Sequence, residues 1–139
     1  MKHFKSQKIT SKQLRSEIYS FAKKVGVKRI TFNDKGKDVS GTYNVCGDSI
    51  YLDTKQNKKD LLATFFHELG HKFAVLEEKW VLYHYSESGF TPAEQFEIEN
   101  GVDKIANKLW NKHVEIRQWG RYKYAYPKSN KKTLLKRFQ

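Results

Sequence analysis

The sequence predicts one α+β domain: an N-terminal helix, a small β-meander of about three strands, two long helices, and a basic C-terminal extension. Three observations predict it. Apolar residues recur at helical spacing in three separate stretches, and short β-branched and aromatic segments broken by Gly, Asn and Asp lie between the first and second. The length, 139 residues with 14% aromatics, suffices for one core and little more.

The first helix opens at Thr10, followed three residues later by Gln13 as in a capping box. It carries Leu14, Ile18, Phe21, Ala22 and Val25 on one face and stops at Gly26. VKRITF (Val27 to Phe32) then reads as a strand ended by Asn33-Asp34-Lys35-Gly36. GTYNVC (Gly41 to Cys46) and SIYLD (Ser49 to Asp53) flank Gly47-Asp48, which suits a two-residue hairpin turn with glycine first. Asn57 caps the second helix, with Asp60 in its first turn, and this helix runs from about Lys58 to the high seventies. Thr91-Pro92-Ala93-Glu94 combines an N-cap, a first-turn proline and a capping-box glutamate, opening a helix to about Lys112. The connection Lys79 to Phe90 between these helices has no clear periodicity and is long enough to cover something.

Net charge is +12, unevenly placed: +8 in residues 1–40, −4 in 41–111 and +8 in 112–139. Basic flanks around an acidic centre suit either a polyanion-binding surface or a lysine-rich solvated one. A single cysteine, Cys46, excludes an intrachain disulfide and a multi-cysteine zinc cluster, and is expected as a buried or strand-end thiol, not as a ligand. No apolar run approaches a membrane span, and Met1 to Ile30 carries charges every few residues, so a soluble, cytoplasmic chain is expected with no membrane partner.

The second helix contains TFFHELGHKF (Thr64 to Phe73). At 100° per residue, His71 lies about 40° from His67 and Glu68 about 100°, while Leu62, Phe65, Phe66, Leu69, Phe73 and Leu76 gather on the opposite side. Two imidazoles one turn apart present nitrogen lone pairs to a single point, as a tetrahedral zinc ion requires. Glu68 lies too far round to be a natural third ligand but near enough to take a proton from water activated there, which is the mechanism behind a His-Glu-x-x-His pattern. Gly70 costs about 1 kcal/mol in a helix relative to alanine and points to close approach of another segment beside the histidine pair.

A catalytic zinc site needs a third protein ligand and an open position. In the last helix Gln95, Ile98, Val102, Ile105, Ala106 and Leu109 form a stripe, and Glu99 borders it about 60° from Val102, where a carboxylate wants a cation or strong hydrogen bonds. Glu97 points to solvent and Glu94 serves the cap. Asp103, one turn beyond Glu99, is placed to accept a hydrogen bond from the non-ligating nitrogen of a ligand histidine, or is an ordinary exposed acid.

HELGH (His67 to His71) followed by Glu99-Asn100-Gly101-Val102-Asp103 resembles the HExxH and ExxxD pair of the gluzincin metallopeptidases. The order of elements is similar to their minimal catalytic core and to the small zincin-like proteins of phage and mobile elements, including the ImmA/IrrE-like group. The resemblance covers roughly Val27 to Trp110 and leaves residues 1–26 and 112–139 as flanks. It implies a zincin-like fold, with His67, His71 and Glu99 as zinc ligands, Glu68 as general base, Asp103 supporting a ligand histidine, and a protein or peptide as substrate. A metzincin would need glycine and histidine where Ala74 and Glu77 stand. SprT-like proteins use a histidine as third ligand, and His84, thirteen residues after His71, stays open as the alternative to Glu99.

On this reading Glu68 deprotonates water and returns the proton to the leaving amine, and Tyr83, His84 and Tyr85 are the candidate donors to the oxyanion. An edge strand such as SIYLD would hold the substrate extended. The alternative function is a nucleic-acid-binding protein with a structural or degenerate zinc site. Tyr122, Tyr124 and Tyr126, interleaved with Arg121 and Lys123, would form its stacking face, or else are a terminal strand that packs its tyrosines on the domain with its lysines exposed. Retention of Glu68 favours the peptidase, since a structural site needs no base.

Overall fold

The computed structural model describes residues 10–33 and 39–117. Its order is α1 (Ser11–Lys24), β1 (Arg29–Asn33), β2 (Gly41–Asn44), β3 (Ser49–Asp53), α2 (Lys58–Leu76), α3 (Val81–Tyr85) and α4 (Pro92–Arg117). The stretch Tyr122 to Tyr126, and with it the expected nucleic-acid face, lies outside the described residues.

The long helices begin where their capping residues predict. The Gln13 amide donates to Thr10 Oγ1 at 3.1 Å while the Thr10 amide donates to Gln13 Oε1 at 2.9 Å, and Thr91 and Glu94 repeat this pair at 2.8 and 3.1 Å. Asn57 Oδ1 accepts from the Asp60 amide at 2.8 Å. Gly26, at φ +95°, ends α1 in the left-handed conformation that glycine adopts without steric cost.

The three strands form a mixed sheet in the order β1-β3-β2, with β3 parallel to β1 and antiparallel to β2. This corrects the expected meander, and it corrects SIYLD as an edge strand. Ile50 and Leu52 are fully buried, so SIYLD takes the centre, while polar GTYN takes an edge, where an apolar strand would invite pairing with other chains. The hairpin turn also differs from expectation. It has four residues, Val45 to Asp48, and the left-handed residue is Asp48 (φ 48°), not Gly47. The turn's Asp48 carbonyl accepts from the Lys28 and Arg29 amides at 3.0 and 3.3 Å, hooking the hairpin onto the start of β1. Cys46 is exposed in this turn rather than buried.

Helix α2 is the centre of the molecule, packed by α1, β2, β3, α3 and α4. Phe65, Phe66, Phe21 and Trp110 meet edge-on or tilted at 5.2 to 6.3 Å between ring centroids, an arrangement that suits the ring quadrupoles. The expected one-sided apolar face is therefore too simple: every residue from Leu61 to Gly70 is buried, whereas Leu76 is exposed. Lys72 is buried as well. Its Nζ donates to both Asp48 oxygens at 2.8 and 2.9 Å, and Tyr43 Oη donates to Asp48 Oδ1 at 2.9 Å. Burial opposes the Asp48 charge, but the hydrogen bonds from Lys72 and Tyr43 hold its carboxyl below the usual range. The pair ties α2 to the hairpin.

Helices α2 and α4 cross at Gly70. A Cβ there would lie 2.7 Å from the Val102 carbonyl oxygen and 3.0 Å from its Cγ1, so the close approach expected at Gly70 is made by α4. No helix among the described residues is long and apolar enough to cross a membrane.

Candidate metal centre

The Gly70 crossing lays Glu99 and Asp103 of α4 against His67 and His71 of α2. Glu99 Oε1 is 2.9 Å from His67 Nε2 and 3.1 Å from His71 Nε2, and the three groups can hold a metal ion. Asp103 Oδ1 is 2.6 Å from His67 Nδ1. All but His71 are nearly inaccessible, with relative exposures of 3% for His67, 4% for Glu99 and 0% for Asp103. Asp103 is thus not an exposed helix acid. Glu97, expected in solvent, is there.

Proton bookkeeping tests whether a cation fits. A carboxylate only accepts, so His67 Nδ1 carries a hydrogen and donates to Asp103, and the neutral ring keeps its Nε2 lone pair aimed at Glu99. A lone pair facing a carboxylate oxygen at 2.9 Å is repulsive unless a proton or a metal ion lies between. Burial opposes charge on His67, yet the hydrogen bonds to Asp103 and Glu99 hold its pKa well above the ordinary imidazole value. Burial likewise opposes the Glu99 charge, and His71 and His67 outweigh it, holding that carboxyl well below its usual range. The pocket is built for positive charge, and its donor set is two imidazole nitrogens and one carboxylate oxygen.

Helix α3 closes one side of the site. Tyr83 Oη donates to Glu99 Oε2 at 2.6 Å, and burial together with the Glu99 charge pushes the phenol pKa up. His84 does not join the converging group. Its Nε2 lies 2.9 Å from His71 Nδ1, the nitrogen turned away from Glu99, and its Nδ1 lies 2.9 Å from the Trp80 carbonyl oxygen. Glu99 rather than His84 is therefore the third member. Of the three expected oxyanion donors, Tyr83 and His84 are engaged with Glu99 and His71, and Tyr85 is 62% exposed.

A cleft of about 360 Å³ opens over the site. His67, Glu68 and His71 of α2 line it, together with Thr42 and Tyr43 of edge strand β2 and Tyr83, His84 and Tyr85 of α3. Glu68, 6% exposed, faces this space beside the histidine pair. Cys46 does not line it. Two contributors escaped the sequence reading. Trp80 fell within the connection Lys79 to Phe90, and Gly101 was given no role of its own. A glycine between Glu99 and Asp103 was the available signal, since a Cβ at Gly101 would run into the Trp80 indole.

Compared with known proteins, the chain matches no family model, no curated protein and no solved structure.

Proposed function

We propose that the protein is a zinc-dependent endopeptidase, with His67, His71 and Glu99 holding the metal and Glu68 acting as general base. The observation that carries this reading is the convergence of two imidazole Nε2 atoms on one Glu99 oxygen, with Glu68 beside them lining an open cleft. Two nitrogens and one carboxylate oxygen form a donor set suited to catalytic zinc, with a position left open for water or substrate. When bound there, zinc supplies Lewis acidity, polarising a carbonyl and making water acidic near neutral pH.

The chain's own residues supply the rest. Asp103 keeps His67 in the tautomer whose Nε2 faces inward. The Glu68 carboxylate takes the proton from the attacking water and returns it to the leaving amine. Strand β2 pairs with β3 on one side and lines the cleft on the other, so its main-chain groups can hold an extended peptide in the cleft. Tyr85 is the remaining side chain of α3 free to offer its hydroxyl to the developing oxyanion. Binding through main-chain groups tolerates many sequences and so favours unfolded protein as substrate.

Incubation with zinc and reduced casein, followed by peptide mass spectrometry, tests the reading. Cleavage is expected from the parent, is abolished by a chelator, and falls at least about 100-fold in Glu68→Gln with the fold and the zinc retained. Undiminished cleavage by Glu68→Gln would refute the mechanism.

A further inference from the structure

We infer that Trp80 and the short helix α3 are an orienting device for two of the three metal-binding groups, setting the tautomer of His71 and the rotation of Glu99, with Gly101 as their seat. This rests on the metal reading above and adds residues to it that act through the metal-holding groups, not on the metal itself.

Hydrogen-bond direction carries the argument. The Trp80 carbonyl oxygen can only accept, so the 2.9 Å contact places the hydrogen of His84 on Nδ1. Neutral His84 then offers a lone pair at Nε2, and His71 Nδ1, 2.9 Å away, must be the donor. That leaves the His71 lone pair on Nε2, the atom 3.1 Å from Glu99 Oε1. A backbone carbonyl is thereby read through two imidazoles into the site. One residue before His84, Tyr83 binds Glu99 Oε2 at 2.6 Å, which leaves Oε1 to face both histidines. Two neighbouring side chains of one five-residue helix thus reach two different ligands.

The device needs a fixed base. Trp80 sits in the left-handed region at φ 51°, which a bulky residue adopts only when its surroundings hold it there. Its indole packs against the cluster of Ala74, Val102 and Ile105 and lies against Gly101, where a Cβ would overlap ring carbons. Gly101 stands two residues from both Glu99 and Asp103, so the helix that brings the carboxylates also seats the segment that orients their partners. Positioning contacts of this kind are worth about 10- to 100-fold in metal affinity.

The test is zinc affinity of the full chain by competition with a chromogenic chelator, alongside ¹⁵N–¹H correlation of the histidine rings. His84→Leu is expected to bind zinc about 10- to 100-fold more weakly. His84→Gln, whose side-chain carbonyl can accept from His71 Nδ1, is expected to recover most of that loss. Gly101→Ala is expected to weaken zinc binding too, although alanine ordinarily favours a helix. Parent-like affinity in His84→Leu, or no recovery in His84→Gln, overturns the inference. Should the parent take up no zinc, the metal reading fails, and the rings of the metal-free chain decide the relay by themselves. A hydrogen on His84 Nδ1 sustains it and one on Nε2 overturns it, a readout that also serves if His84→Leu does not fold.

Discussion

Replacing Gly70 by alanine sets two opposing effects against each other. Alanine in a helix interior is worth about 1 kcal/mol over glycine. The added Cβ would meet the Val102 carbonyl oxygen at 2.7 Å, where ordinary contact begins at 3.4 Å, so the helices must part by about 0.7 Å. Overpacking of this kind costs about 1–3 kcal/mol, and a backbone carbonyl inside α4 cannot swing aside as a flexible side chain can. The metal-free protein is therefore expected to lose up to about 2 kcal/mol net in urea denaturation. The site should suffer more than the fold. His67 and His71 ride on α2 and Glu99 on α4, so the same parting acts directly on contacts of 2.9 and 3.1 Å. Zinc affinity, measured by chelator competition, should fall at least about tenfold. A Gly70→Ala protein about 1 kcal/mol more stable than the parent, with zinc affinity unchanged, would refute the claim that this crossing sets the site's geometry.

Lys72→Met leaves the partly buried Asp48 without its cation and should cost about 1–3 kcal/mol in the same denaturation assay, between an exposed and a buried pair; a change under about 0.5 kcal/mol would count against the tie between α2 and the hairpin. In the metal-free protein, the raised His67 pKa contributes stability that is complete below the ordinary imidazole value and lost as pH rises through the folded value. The depressed Glu99 pKa contributes stability present above the ordinary carboxyl value and lost as pH falls through the folded one. Thermal melts without metal should accordingly decline on the alkaline side, and zinc should restore them increasingly as pH rises, because proton and metal compete for the same Nε2. Melting that is flat above neutrality, with no zinc effect, would contradict this. Tyr85→Phe should lower cleavage of casein by about 10- to 1,000-fold with zinc binding intact; equal rates would remove Tyr85 as oxyanion donor.

Much of the layout was legible because its signals are local. Caps at Thr10, Asn57 and Thr91 name their helix starts through side chains within three residues. The candidate ligands were legible because helical geometry turns the spacing of His67 and His71 into a shared direction, and because Glu99 is hard to place at an apolar margin without a cation. What was not legible depends on distant chain. Strand pairing is set by which strand buries most, so the sheet order escaped a reading that found all three strands. The tie between Lys72 and Asp48 has no local signal, because only the fold brings the two together. His84 read as a ligand or an oxyanion donor, since its distance in sequence from His71 fits either, and only the placement of Trp80 turns it behind His71. The left-handed turn residue was read as Gly47 on propensity, while the hooked carbonyl and the Lys72 contact hold Asp48 there instead.

The most direct measurement is zinc content of the purified chain and three variants after dialysis, read by mass spectrometry of the metal. About one zinc per chain is expected in the parent and in Glu68→Gln, and none in His67→Ala or Glu99→Ala. A parent without zinc, or a Glu99→Ala protein that keeps its full complement, would contradict the site at the centre of the account.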